Sequence, residues 1–268
     1  STVEKTALAE AEIEYHEHKS TTIYVRFPVY KTEIEDLKNS SIIIWTTTPW
    51  TIPGNRAVAY KGDLKYLLIE VLSTKDDSIA KISDKILVAE DLINSFVEET
   101  SIDKFKIKVK LNGKDLAGTI LKHPLFKAGY DYDVPLLEAD FVTTDQGTGF
   151  VHIAPGHGAD DFELGKKYSL PTTETVEDNG YLRETLPLFG GLHVLRDNEK
   201  MADILHKHEC LIGRGTINHS YPHSWRSKAP LIFRTTPQWF ISMDENDLRQ
   251  KSLKSISKTN FFPPQGAN

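Results

Sequence analysis

The chain has 268 residues, of which 39% are apolar and 26% charged, and its formal net charge is −6. This length allows one large domain or two small ones, and no run of about 18 apolar residues is present that could span a membrane. A single cysteine, Cys210, excludes internal disulfides and CxxC metal clusters and favours a reducing, cytoplasmic setting. The acidic balance argues against a broad nucleic-acid-coating surface, although it leaves room for a local contact to the end of an RNA.

The first half of the chain consists mainly of β-type segments. Strong helix formers predict a short helix over 6–13, and the alternating residues that follow predict an extended segment with His16 and His18 on one face. A metal site would need more ligands nearby, so we interpret these two as solvated surface histidines. Further strands are predicted over 21–29, 41–44, 65–72, 85–88 and 105–111, with a short amphipathic helix over 89–99.

The second half mixes short strands with a few helices. Asn112 and Gly113 are a turn signal. The patterns then predict strands over 134–143 and 150–153, a helix ending at Tyr168, a loop over 177–191, a helix over 198–210, strands with their connections over 211–217 and 230–243, and a charged helix over 244–257. Many short strands with few helices favour an α+β, β-rich fold with a closed or nearly closed β-barrel core and peripheral helices.

The loop from Trp45 to Asn55 follows a run of β-branched residues and contains four threonines and two prolines. Pro49 and Pro53 fix the backbone angle φ and remove two backbone donors, so the loop should be stiff. Its hydroxyls and backbone groups are then available to a small polar ligand. On its own, the loop is equally compatible with a well-capped structural turn.

A second motif begins at Gly147-Thr148-Gly149, which lacks the spacing of a dinucleotide fingerprint. His152 follows among apolar neighbours, where a satisfied core histidine is the alternative interpretation. Asp160 and Asp161 open a helix, where acids cap the helix and complement its dipole. A carboxylate in this position is held ionised, so we expect an anchor for a substrate ammonium rather than a general acid. No triad order, cysteine nucleophile or HExxH spacing stands out.

Together the two motifs resemble the editing domain of isoleucyl-tRNA synthetase in its bacterial or organellar form, the connective-peptide insertion in the catalytic domain of a class I enzyme. The similarity spans essentially the whole chain and is carried by segments 9–16, 45–51, 147–161, 219–226 and 236–240. It implies the class I synthetase editing-domain fold. It also implies that 1–268 is one editing domain from a larger synthetase, with 1–20 and 244–268 as flanking segments leading to the catalytic domain.

The sister valyl and leucyl families share this fold but differ at marked positions. They carry an arginine and an acid where this chain has Thr48 and Trp50, and the valyl family usually has lysine at the position of His152. These differences favour the isoleucyl family. Some relatives carry a zinc ribbon with a CxxC pair where this chain has Ser224 and Ser227, so no zinc is predicted.

The resemblance implies hydrolysis of valine wrongly esterified to isoleucine tRNA, with valyl-adenylate as a further candidate substrate. One methylene is worth only roughly 10–200-fold in an apolar pocket, a limit for which isoleucine selection against valine is the standard illustration. A second, smaller pocket must therefore admit valine and reject isoleucine. The implied catalytic residues are Asp161, which binds the α-ammonium, His152, and Thr48, which orients water or the ester. The implied substrate-binding residues are Trp45, Thr46, Thr47, Thr51, Asn55 and His157.

The implied partners are the 3′ end of the valine-mischarged isoleucine tRNA and the rest of the synthetase chain, with no membrane and a monomeric protein. No cofactor is expected in this domain, since ATP and Mg²⁺ belong to the catalytic domain. Two alternatives stay open. One is a catalytically silent insertion that binds the tRNA acceptor end, and the other is the editing domain of a sister valyl or leucyl synthetase.

Overall fold

The computed structural model describes residues 1–267, so Asn268, the last residue of the predicted flanking segment 244–268, lies outside the described residues. The strands are β1 Ile13–Lys31, β2 Ser41–Thr46, β3 Ala57–Tyr60, β4 Lys65–Thr74, β5 Lys85–Ala89, β6 Ile102–Asn112, β7 Ile120–Lys122, β8 Asp133–Glu138, β9 Val151–Ile153 and β10 Leu211–Ser224. The α-helices are α1 Ile93–Glu99, α2 Ala159–Lys167, α3 Asn198–Lys207 and α4 Leu248–Ile256. None of these helices has the length and apolar character needed to cross a bilayer.

Strand β1 has 19 residues and pairs with three other strands of the sheet. It pairs antiparallel with β10 from Ile13 to Val25, with β2 from Ile23 to Pro28, and with β7 at its end. Alternate residues of a strand face opposite sides of the sheet. Ile23 and Val25 lie in the main core and Tyr24 lies in a second core, so both faces of β1 are covered in this region.

The sheet is mixed and open. Its strands follow the order β6-β4-β5-β2-β1-β7-β8-β3-β9, with β10 beside β1. No pairing joins β6 to β9 within residues 1–267, so the β-rich α+β class is confirmed but the closed or nearly closed barrel is not. The outer strand β6 carries a row of alternating lysines, and charged side chains of this kind keep an edge strand from pairing further. These are Lys104, Lys106, Lys108 and Lys110.

Strand β2 separates two apolar layers and positions the candidate site. Ile42 and Ile44 lie in the main core, whereas Ile43 and Trp45 pack on the opposite side with the second core. The same alternation places the side chain of Thr46 on the main-core face. A third cluster packs α2 against β3 and β9 and thereby holds the start of that helix close to the end of β9.

Several predicted elements differ from those observed. The helix predicted over 6–13 is wrong, because only one 3-10 turn forms at Glu10–Glu12 and the ladder with β10 already begins at Ile13. The strand predicted over 134–143 ends at Glu138, where the parallel register with β3 ends. The strand predicted over 211–217 continues to Ser224 because β1 pairs with it along that whole length.

The chain divides into two compact units, Ser1–Thr235 and Thr236–Asn268. All ten strands named above lie in the first unit. The second unit contains α4, which begins at Leu248 after a 3-10 turn rather than at the predicted position 244. The described residues of 230–243 form no named strand, and Pro230 makes a single bridge to His223.

Histidines line one face of the β1–β10 ladder. His16 and His18 share that face as predicted, and opposite them lie Tyr221 and His219. His16 is exposed, but His18 is half-buried with its ring centroid 4.9 Å from that of Tyr221, and burial lowers its pKa. Within residues 1–267, no group of three histidine, cysteine or carboxylate side chains is arranged to hold a metal ion.

Candidate functional site

The threonine loop leaves β2 at Thr46 and enters a 3-10 helix, Pro49–Gly54. Proline suits the first position of a helix, because its φ is preset and its missing N–H needs no partner there. Trp50 and Ile52 anchor this helix in the main core. Burial as well as proline therefore holds this loop, and its stiffness stays a prediction.

Three hydroxyls of this loop form a connected set, which we call the threonine hydroxyl chain. The Oγ1 atoms of Thr46 and Thr48 are 3.1 Å apart, and those of Thr48 and Thr51 are 3.3 Å apart. The backbone N–H of Thr48 donates to Thr46 Oγ1, and Thr51 Oγ1 donates to the carbonyl of Thr48. Thr46 and Thr51 are buried, so Thr48 is the partly exposed member of the chain.

His152 lies within hydrogen-bonding distance of Thr51, at the buried end of the threonine hydroxyl chain. It lies on β9 opposite Val58 of β3, and its Nε2 atom is 2.8 Å from Thr51 Oγ1. Its Nδ1 atom is 2.9 Å from the amide nitrogen of Asn55. Burial, assisted by the nearby His157 and His123, lowers the pKa of His152 to about 3. The imidazole is therefore neutral at physiological pH, and it is a hydrogen-bonding group rather than an ion.

Asp161 lies in the first turn of α2, and its Oδ1 accepts the backbone N–H of Ala154 at 2.7 Å. A Cβ atom at position 158 would lie 2.4 Å from Oδ2, so only glycine allows this placement of the carboxylate. Burial raises the pKa of Asp161 to about 6, although the hydrogen bonds from Ala154 and its own backbone act in the opposite direction. Desolvation therefore outweighs the helix N-terminus in setting this pKa, although the carboxyl is still ionised above pH 7, as an ammonium anchor requires.

The raised pKa of Asp161 gives a testable pH dependence. Its carboxyl ¹³C resonance is expected to titrate near pH 6, against about 3.9 for an ordinary aspartate. In that window the folded state holds a proton that the unfolded state has lost, so this group makes the protein less stable as pH rises from about 4 to 6. Thermal melts of Asp161→Asn should lack that contribution. A ¹³C midpoint near 4 would contradict the assignment.

His157 lies on the β9–α2 connection and forms hydrogen bonds to two other segments of the first unit. A carbonyl only accepts, so Nδ1–H donates to the Phe233 carbonyl at 3.1 Å, and Nε2 accepts the Thr175 hydroxyl at 2.6 Å. The ring packs edge-on against Trp50, with centroids 5.0 Å apart. Burial lowers the pKa of His157 to about 4, so this histidine is also neutral.

The structure brings together one group of predicted site residues and leaves others apart. Hydrogen bonds connect Thr46, Thr48, Thr51, Asn55 and His152. His157 and Asp161 lie on the connection that follows β9 and on the start of α2, and Thr47 is partly exposed between its threonine neighbours.

Trp45 is not part of the hydrogen-bonded group. Its side chain lies on the opposite face of β2 from Thr46, against the second core. Its Nε1 atom is buried and has no hydrogen-bond partner among residues 1–267. The period-2 alternation of a strand could have predicted this separation from the sequence.

Several residues that support the site were missed. Tyr132 donates its hydroxyl to the Asn55 carbonyl at 2.9 Å, and Arg56 stacks on the Tyr132 ring at 4.4 Å. Tyr66 donates to the carbonyl of Gly149, whose φ of +75° favours glycine. These contacts join segments far apart in sequence, so no local pattern points to them.

Ser224 and Ser227, at the positions where the zinc-ribbon cysteines were considered, form hydrogen bonds to nearby groups. Ser224 Oγ donates to Glu4 Oε1 at 2.7 Å and accepts the backbone N–H groups of Arg226 and Ser227. Zinc ribbons bind their metal with thiolates and imidazoles. Hydroxyls in these two places do not fit a zinc ion.

Comparison with known proteins places the chain in a family. A family profile described as tRNA synthetases class I (I, L, M and V) matches residues 1–268. The chain is 52% identical over 266 residues to an isoleucine–tRNA ligase of Pelagibacter ubique and 50% identical over 277 residues to one of Gluconobacter oxydans. These alignments cover 99% and 98% of the chain but only 29% of each relative.

The fold is similar to solved editing domains. The leucyl-tRNA synthetase editing domain of P. knowlesi superposes with a TM-score of 0.56 at 10% identity, covering 74% of this chain and 98% of that one. The structure described as GlLeuRS-CP1 gives a TM-score of 0.56 at 13% identity, covering 72% and 98%.

The chain therefore belongs to the class I tRNA synthetases. Within that family its similar relatives are isoleucine–tRNA ligases, and its fold matches the CP1 editing domain, so the resemblance predicted from the two motifs is confirmed.

Proposed function

We propose that this site hydrolyses valine from mischarged isoleucine tRNA, as the editing centre of an isoleucine–tRNA ligase. The observation that carries the proposal is the threonine hydroxyl chain, which runs from a neutral His152 to the partly exposed Thr48. The half-buried carboxylate of Asp161 lies in the first turn of α2, which follows the same strand. Isoleucine–tRNA ligases among the relatives support the choice of amino acid.

Asp161 binds the α-ammonium of the aminoacyl ester. Its Oδ1 accepts the Ala154 N–H, so Oδ2, which lies against Gly158, is the oxygen proposed to bind the ammonium. A buried carboxylate with a raised pKa gains most from a cation, because the pairing offsets the cost of holding a charge away from water. An aminoacyl ester carries such a cation, the α-ammonium, on the carbon next to the ester group that is hydrolysed.

Thr48 orients the attacking water, since its hydroxyl is the partly exposed end of the threonine hydroxyl chain. Positioning the water and stabilising the developing oxyanion supply the rate, and no covalent intermediate is formed. His152 and the threonines form the wall of a pocket that admits valine. Isoleucine is rejected because its extra methylene does not fit.

The partners follow from the same proposal. The 3′ end of isoleucine tRNA brings the ester, and the remaining part of the synthetase chain brings the tRNA body. The domain works in the cytoplasm, within a monomeric chain, and uses no cofactor of its own. ATP and Mg²⁺ serve aminoacylation in the remainder of the chain.

A binding experiment tests the proposal. Non-hydrolysable valyl- and isoleucyl-adenosine analogues are titrated into the protein and followed by calorimetry. We expect the valyl analogue to bind at least about tenfold more tightly, which corresponds to one methylene of size discrimination. Equal binding or no binding of both analogues would favour a catalytically silent insertion that holds the tRNA end. Tighter binding of threonyl or norvalyl analogues would favour editing for a sister synthetase.

A further inference from the structure

Asn55 is fully buried beneath the threonine loop and has no exposed surface with which to touch a substrate. Its amide nitrogen Nδ2 lies 2.8 Å from the Ala57 carbonyl and 2.9 Å from His152 Nδ1. Its own backbone carbonyl accepts the Tyr132 hydroxyl and an Arg56 guanidinium N–H. The residue is therefore held on both its backbone and its side chain, and its side chain acts on the site through His152.

The orientation of the Asn55 amide follows from these partners. A carbonyl oxygen only accepts hydrogen bonds, so the atom that faces the Ala57 carbonyl is the NH₂ group. A reversed amide would place two oxygens against each other. The observed orientation leaves Oδ1 buried without a partner among residues 1–267, whereas Nδ2 makes two hydrogen bonds.

The amide orientation then determines the protonation of His152. The second hydrogen of Nδ2 points to His152 Nδ1, which must accept it. Only a neutral imidazole has an accepting nitrogen, and its single proton is then on Nε2. That Nε2–H donates to Thr51 Oγ1, whose own hydrogen goes to the Thr48 carbonyl.

We propose that Asn55 is the positioning residue that holds His152 as the Nε2–H tautomer and so makes His152 the hydrogen-bond donor to Thr51 at the buried end of the threonine hydroxyl chain. The Thr48 hydroxyl then donates inward, towards Thr51 or Thr46, and keeps a lone pair for an O–H of the water. His152 accepts no proton from that water. The catalytic consequence rests on the proposed hydrolytic function, whereas the tautomer does not.

The tautomer is measured directly by two-bond ¹H–¹⁵N correlation spectra of the protein labelled with ¹⁵N-histidine. Two other histidines are internal references. His123 donates from Nε2 to the Ile52 carbonyl, so it is an Nε2–H tautomer, and His157 donates from Nδ1 to the Phe233 carbonyl, so it is the opposite one. We expect His152 to show the pattern of His123. The pattern of His157 at His152 would overturn the inference, and this spectrum needs no variant to fold.

The variant Asn55→Asp tests the cause. The aspartate oxygen that replaces Nδ2 faces the Ala57 carbonyl, so the buried carboxyl must keep its proton and donate it to that carbonyl. The same oxygen then has no hydrogen for His152 and can only accept from Nδ1–H, so His152 should change to the pattern of His157 while His123 and His157 keep theirs. In the complete synthetase chain, kcat for valyl-tRNA deacylation should fall about 10²-fold, with KM changed less than about threefold. An unchanged tautomer in this variant would overturn the role of Asn55.

Changes at Thr51 separate cause from consequence. Thr51→Val removes the hydroxyl, so it should lower deacylation while leaving the His152 tautomer unchanged, because Asn55 rather than Thr51 sets it. Thr51→Ser restores a hydroxyl and should recover the activity. A tautomer change in Thr51→Val would count against the inference.

The two proposals fail in different ways. In one outcome, His152 is the Nε2–H tautomer in the wild type and the other tautomer in Asn55→Asp, but the wild-type protein does not deacylate valyl-tRNA. The positioning role of Asn55 is then supported and the hydrolytic function is excluded. If wild-type protein deacylates valyl-tRNA with His152 as the Nδ1–H tautomer, the positioning role falls and the function stands.

Discussion

Replacement of Asp161 by alanine is expected to lower deacylation of valyl-tRNA by about 10²–10³-fold, because the α-ammonium loses its buried partner. The charge is the reason for this effect, since Asp161 is buried enough for its pKa to rise to about 6 and a cation is its natural complement there. The measurement is single-turnover hydrolysis of ³H-valyl-tRNA by the complete synthetase chain, at pH 7.5, where the carboxyl is ionised.

Two controls separate charge from structure. Asp161→Asn keeps an acceptor for the Ala154 N–H, so it should be as inactive as the alanine variant without melting below the wild-type temperature at pH 7.5, where the desolvated charge of Asp161 is absent from the variant. Asp160→Ala removes the exposed neighbouring acid in the same helical turn and should retain activity. Normal deacylation by both Asp161 variants would exclude this residue as the ammonium anchor.

The second large effect is expected at His152, whose replacement by alanine should remove the size limit of the pocket. The imidazole occupies the space beside Thr51, and its loss makes room for the extra methylene of isoleucine. The valyl-to-isoleucyl ratio of deacylation rates, which one methylene can raise to roughly 10–200, should then fall towards one. Both rates are measured with matched preparations of valyl- and isoleucyl-tRNA. The ratio of the two rates is the readout, because the loss of His152 also disturbs the positioning of either substrate.

A matched variant controls for lost packing. His193 is 8% exposed, like His152, and its Nδ1 accepts the Leu195 N–H within the first unit. His193→Ala should therefore cost a similar amount of stability, about 1–3 kcal/mol for buried partners left unpaired, without changing the ratio. A His152→Ala variant that still rejects isoleucine would show that another wall sets the limit.

Local patterns predicted the parts of the site that one chain segment can specify. The β-branched run before Trp45 predicted β2, the prolines predicted a stiff loop, and the apolar run around His152 predicted β9. The two motifs together predicted the family. The open sheet was not predicted, because closure depends on the register between the first and last strands, which no single segment reveals.

Other features depend on contacts across the fold. Asn55 and His152 meet because β3 and β9 pair, although 97 residues separate them in the sequence. The ionisation of Asp161 was predicted from the helix N-terminus, which is visible locally, whereas the burial that dominates its pKa depends on the folded surroundings of α2. The direction of a pKa shift therefore cannot be predicted from the local dipole where desolvation exceeds it.

Strand β1 also has a mechanical consequence. At about 3.3 Å per residue its 19 residues form a rod roughly 60 Å long. One end is clamped to the end of β10 at Ser224, and Ile23 further along is bonded to Thr46 at the start of the threonine loop. Ile13 and Thr46 are thus joined by the β1 backbone and the β1–β2 ladder with no loop between them, so a force applied at Ile13 is transmitted through the sheet to the start of the threonine loop.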